Sequence, residues 1–81
     1  LNIKLTAVGK FQRYFPARTC ELDFPGISLS EFLVWVKEEY GFEAESYRNL
    51  KITRNFTLVR DQTITLAVGD RIGFIPIVAG G

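Results

Sequence analysis

Leu1, Ile3, Leu5 and Ala7 alternate with Asn2, Lys4 and Thr6, the period-two pattern of a strand with one buried face. The stretch from Gly9 to Pro16 reads as a connection, although it carries Phe11, Tyr14 and Phe15. Cys20, Leu22 and Phe24 then alternate with Thr19, Glu21 and Asp23, which predicts a second strand closed by Pro25-Gly26. After that the period changes. Leu29, Phe32, Leu33, Val36 and Tyr40 recur at helical spacing on one face. Ser28 followed by Glu31 has the spacing of a capping box, and Gly41 is placed to stop the helix in a left-handed conformation. Val34 and Trp35 lie off the apolar stripe, so part of this helix is expected to show apolar surface.

Beyond the helix the pattern is broken into short pieces. Phe42 to Asn49 reads as a polar connection, Leu50 and Ile52 as a short strand, and Arg54-Asn55 as a turn. Leu58-Val59 and Ile64–Leu66 are further short apolar pieces, and Val68-Gly69-Asp70 turns the chain into a last strand from Arg71 to Ile77. That strand would put Ile72 and Phe74 on one face and Gly73 and Ile75 on the other. Pro76 lacks an amide donor, so the strand must end there or present an unpaired position. One helix among several strands predicts an α+β domain: a mixed sheet of four to five strands with the helix on one face. The first and last strands are candidates for a parallel pair at its centre. No repeat or internal boundary divides the 81 residues, so positions 1–81 are read as one domain with a flexible tail from about residue 77 to 81.

Apolar residues make up 47% of the chain, a composition that folds rather than one that stays disordered. The net charge of +1 and the scatter of basic residues from Lys4 to Arg71 give no footprint for nucleic acid or an anionic membrane. No stretch is long and apolar enough to span a bilayer, and no secretory signal is visible at the amino end. The single cysteine cannot form an internal disulfide, so a reducing, cytoplasmic setting is the default expectation.

Candidate side-chain chemistry is sparse. The chain has no histidine, the usual acid–base group at neutral pH and the commonest metal ligand. One cysteine without a histidine argues against a thiol-protease pair or a zinc site, so no metal or bound cofactor is expected. Cys20 reads as a structural thiol, and Glu38-Glu39 with Glu43 and Glu45 as a solvated helix end and loop. Phe11, Tyr14 and Phe15 are candidates either for a binding patch or for closing one end of the core, and the core reading is preferred for Phe11 and Phe15. What remains is Val78-Ala79-Gly80-Gly81. Glycine without a Cβ can pass through a narrow channel, and the Gly81 carboxylate is a group another enzyme can activate. By elimination it is the best chemical handle in the chain.

Asn55, Leu66, Gly69-Asp70, Ile72, Phe74-Ile75-Pro76 and Val78-Ala79-Gly80-Gly81 together resemble the small subunit of molybdopterin synthase, one of the ubiquitin-like sulfur carriers related to the thiamine sulfur carrier. The resemblance spans essentially the whole chain, with its specificity in the last dozen residues. It implies a β-grasp fold and a carrier subunit without a self-contained active site. A ubiquitin-activating-type adenylyltransferase would use ATP to adenylate Gly81. A sulfur donor protein would then convert it to a thiocarboxylate, and the tail would enter the large subunit of molybdopterin synthase. Val78, Ala79 and Gly80 would thread the partner's channel, and four extended residues reach about 13 Å. Phe74, Ile75 and Pro76 would meet the partner, Ile75 above all. Many members carry an aromatic residue at the position of Ile75 and a second proline at that of Ile77. A thiamine-type carrier, another pathway's carrier and a protein modifier joined through Gly81 share the same tail chemistry.

Overall fold

The amino-terminal alternation resolves into a strand whose Ile3, Leu5 and Ala7 are fully buried. The computed structural model describes residues 1–77. Its strands are β1 (Asn2–Ala7), β2 (Thr19–Asp23), β3 (Leu50–Arg54), β4 (Thr57–Leu58) and β5 (Arg71–Pro76), with one α-helix, α1 (Leu29–Tyr40). Short 3₁₀ segments occupy Gly9–Tyr14 and Ala44–Ser46. The strands form one five-stranded sheet in the order β2-β1-β5-β3-β4. β1 and β5 pair in parallel at its centre, and the other neighbours are antiparallel. Strands and helix thus combine as the ubiquitin-like β-grasp.

The helix is closed at both ends as its sequence predicts. Ser28 Oγ accepts the Glu31 amide at 3.1 Å, and Glu31 Oε1 accepts the Ser28 amide at 3.1 Å. These contacts satisfy two amides that the helix itself leaves without partners. At the other end Gly41 is left-handed at φ 73. The buried stripe of Leu29, Phe32 and Val36 covers the inner sheet face, while Val34 is exposed and Trp35 packs partly against Phe24 and Phe32. Ile64–Leu66 forms no strand. It ties down the start of the helix through a single Ser28–Thr65 bridge and a Leu66 amide bonded to Ile27 O at 2.7 Å.

The polar reading of Phe42 to Asn49 needs correction. Phe42 is fully buried, with its ring 5.4 Å from Phe11 and 4.8 Å from Phe74. Tyr47 packs on Phe11 at 4.9 Å. The core needs aromatic bulk at this end because α1 has already stopped at Tyr40, and the loop supplies it from between polar neighbours. Phe11 and Phe15 are core residues, as expected. Among the described residues no helix is long and apolar enough to cross a membrane.

Candidate functional site

The last strand decides where the tail leaves the domain, and its two ends are built differently. At the start, Gly69 sits at φ 82, a conformation that favours glycine, within a turn closed by the Asp70 amide on Ala67 O at 3.0 Å. Asp70 is only 7% exposed. Its carboxylate takes the Ala67 amide at 2.8 Å, Arg54 Nε at 2.9 Å and Asn55 Nδ2 at 3.1 Å. Asn55 Oδ1 in turn accepts the Arg71 amide at 2.9 Å. Burial alone would raise the Asp70 pKa. The Ala67 amide, the Asn55 amide and the Arg54 guanidinium together outweigh that penalty and hold it below the usual carboxylate value. Asp70 thereby locks the β3–β4 hairpin to the beginning of β5.

At the far end the strand keeps its bonds to β3 and loses its neighbour β1. The Asn55 amide reaches Arg71 O at 2.7 Å and the Ile77 amide reaches Asn49 O at 2.6 Å, so the odd-numbered residues of β5 bond toward β3. The even-numbered residues face β1, as Val8 N to Phe74 O at 3.0 Å shows. Pro76 therefore turns its missing donor toward β1, which has already ended at Ala7. The proline sits where no ladder bond is lost, in agreement with the sequence reading. A Cβ placed on Gly9 would lie 3.3 Å from Pro76 Cγ, so the turn after β1 flanks the exit.

Phe74 does not form part of a surface. It is fully buried against Phe15, Phe32 and Phe42, and the expectation that it meets a partner is corrected. Strand alternation explains this, because Phe74 shares the inner face with Ile72. Ile75 lies half-buried on the outer face opposite Lys51, Pro76 is half-buried, and Ile77 is 40% exposed. Val78, Ala79, Gly80 and Gly81, expected to thread and to react, lie outside the described residues.

Five of the basic residues that look scattered along the chain, Lys10, Arg13, Arg18, Arg48 and Lys51, fall at this end of the sheet. Lys10 Nζ stands 5.5 Å from the Tyr47 ring, and Arg13 donates to Tyr14 Oη at 3.3 Å. Tyr14 and Tyr47 share a hydroxyl–hydroxyl hydrogen bond that joins the Gly9–Tyr14 turn to the loop before β3. The Tyr47 and Arg13 bonds hold the Tyr14 phenol below its usual pKa. Arg48 lies between Tyr47 and Asn49, and Lys51 pairs with Ile75. Sequence reasoning missed this convergence. The available signal was the absence of any carboxylate in residues 1–20 and 47–60, the two segments that the fold brings together.

Other side-chain chemistry is thin. The Cys20 thiol is half-buried, and burial pushes its pKa up against a partly offsetting backbone hydrogen bond at Ala17. It therefore stays protonated at neutral pH and is a poor nucleophile. No group of three or more His, Cys, Asp or Glu side chains is placed to hold a metal among the described residues. The hairpin turn carries two left-handed residues, Asn55 at φ 51 and Phe56 at φ 70, and leaves Phe56 82% exposed beneath the Arg71 guanidinium.

Several solved structures share this fold. SAMP1 from Haloferax volcanii superposes with a TM-score of 0.76 at 19% identity over 99% of both chains. The putative molybdopterin converting factor subunit 1 from Pyrococcus furiosus gives 0.78 at 17% identity over 96% of this chain and 99% of that one. A chain from the complex of subunits 1 and 2 of the molybdopterin-converting factor of Helicobacter pylori 26695 gives 0.71 at 21% identity over all of both chains. No curated protein matches in sequence. At the level of sequence family, the ThiS model matches residues 13–81, and the chain belongs to the ThiS family.

Proposed function

We propose that this protein is a sulfur carrier whose reactive group is the Gly81 carboxylate. The observation that carries the reading is that β5 has lost its β1 neighbour at Pro76 and is held on the β3 side alone, immediately before the segment that the family match follows to Gly81. The carboxylate oxygen attacks the α-phosphorus of ATP in a ubiquitin-activating-type adenylyltransferase, pyrophosphate leaves, and an acyl adenylate forms. Sulfide-level sulfur from a donor protein then displaces AMP and leaves a thiocarboxylate. The acid–base groups and the nucleotide site belong to the partners, in keeping with a chain that has no histidine. ATP is a substrate of the activating enzyme and not a resident cofactor here.

The acceptor we propose is the large subunit of molybdopterin synthase. The Helicobacter pylori structure supports this choice: it is a complex of subunits 1 and 2 of a molybdopterin-converting factor, and its matching chain has this fold from end to end. Ile75, Pro76 and Ile77 form the contact surface beside the tail. Adding one residue after Gly81 turns the carboxylate into an amide and is expected to abolish loading while leaving the thermal midpoint unchanged. Normal loading of that extended chain would sink the proposal.

The likeness to SAMP1, named as a small archaeal modifier protein in a second Haloferax volcanii structure, favours one other reading: conjugation of the activated Gly81 to a lysine of a target protein. Covalent ladders on denaturing blots that vanish when Gly81 is deleted would support it over free sulfur donation.

A further inference from the structure

The chain is nearly neutral, yet its charges are sorted. Residues 1–20 and 47–60 hold Lys4, Lys10, Arg13, Arg18, Arg48, Lys51, Arg54 and Arg60 with no carboxylate, whereas most of the nine Asp and Glu residues fall between Glu21 and Glu45. Parallel pairing of β1 with β5, and antiparallel pairing of each with an outer neighbour, brings one end of every one of these strands together. At that end the Ala7 amide bonds to Arg18 O at 2.8 Å, the Ile77 amide to Asn49 O beside Arg48, and Ile75 pairs with Lys51. Lys10 and Arg13 complete the ring, held over the Tyr14–Tyr47 pair. Lys10, Arg13, Arg18, Arg48 and Lys51 are exposed, and none of these five is in an ion pair among the described residues, where the pairs are Leu1–Asp23, Lys37–Glu45 and Arg54–Asp70.

Like charges gathered around one exit repel one another, and intramolecular pairing does not offset that cost. A partner that takes the tail must cover this ring. We propose that Lys10, Arg13, Arg18, Arg48 and Lys51 form a cationic collar that docks on a carboxylate-lined channel mouth of the adenylyltransferase that activates the tail. This rests on the sulfur-carrier reading and adds the chemistry of its partner's rim. A protein fits better than a nucleic acid. Ile75, Pro76 and Ile77 share this end with Lys51, and Glu43 lies near enough to act on the Tyr14 hydroxyl, a mixed surface that suits a protein rather than a polyanion. The collar's main effect is on encounter: opposed fields raise association rates and lose that gain as salt rises.

The test is ATP–pyrophosphate exchange by the cognate adenylyltransferase, with the full chain as variable substrate, at low and at high salt. The wild-type kcat/KM is expected to fall roughly tenfold or more across that range while kcat holds. A K10E/R13E/R48E variant, checked for an unchanged thermal midpoint, is expected to lose roughly tenfold to a hundredfold in kcat/KM at low salt and to show a flattened salt slope. R60E, at the end of the hairpin, serves as the control and is expected to retain the wild-type slope. Exchange with full kcat/KM and an unchanged salt slope in the triple variant overturns the collar and leaves the carrier reading standing. Absence of exchange in every chain, with the enzyme active on its own carrier, overturns both. Binding of a fluorescent single-stranded DNA by the wild type at physiological salt, lost in the triple variant, would assign the ring to nucleic acid and also overturn it.

Discussion

The two ends of β5 lie six residues apart in one strand and follow opposite designs. The start is polar and closed: the Asp70 carboxylate meets a backbone amide, a guanidinium and a side-chain amide. The exit rests on tilted, packed aromatic rings, and its proline turns toward a strand that has already ended. β5 is thus locked by side chains at its start and held on the β3 side alone at its exit.

The largest expected effect comes from removing the aromatic floor beneath the exit. Phe74→Ala should cost about 3–5 kcal/mol in denaturant unfolding, the range for losing a fully buried phenylalanine. A loss below about 1 kcal/mol would mean that the ring is not the keystone shared by Phe15, Phe32 and Phe42.

Opening the closed end should cost less. Asp70→Ala is expected to lose about 2–3 kcal/mol, because Arg54 and the Ala67 amide are left without their acceptor. The pH dependence has a fixed sign. The folded-state pKa of Asp70 is depressed, so its contribution is complete above its unfolded value and disappears as pH falls through the folded one. The stability gap between wild type and Asp70→Asn should therefore narrow below about pH 4. A gap that is constant through the acid range would contradict the network.

Two smaller effects sharpen the contrast from the surface. Ile75→Glu should weaken partner binding roughly tenfold or more while changing stability by less than about 1 kcal/mol, since the side chain is half-buried on the outer face. Phe56→Gly should raise stability by about 0.5–1 kcal/mol, because a left-handed Asn-Gly turn replaces a strained Asn-Phe. A loss of stability there would show that the Arg71–Phe56 contact outweighs the strain.

Local features of the fold were legible in the sequence. Ser28, Glu31 and Gly41 bound the helix as their spacing predicts, and Pro76 marks an unpaired position because proline has no donor to give. The parts that needed the structure depend on long-range pairing. Phe42 was hidden among polar neighbours because its burial depends on Phe11 and Phe74, which are distant in sequence. Asp70 reads from the sequence only as part of a turn, because Arg54 and Asn55 reach it through the hairpin. Phe74 was assigned to a surface together with Ile75, although strand alternation separates their faces. The cationic collar was invisible for the same reason. Lys10 and Arg48 become neighbours only after β1 and β3 take their places on either side of β5.

The most direct test of the central claim is the intact mass of the full chain after incubation with ATP, a sulfur donor and the activating enzyme, followed by fragmentation. The account predicts a gain equal to the exchange of one oxygen for one sulfur, confined to the fragment that ends in Gly81. Addition of a whole sulfur atom at Cys20 would contradict it, as would an unchanged mass from an enzyme that loads its own carrier.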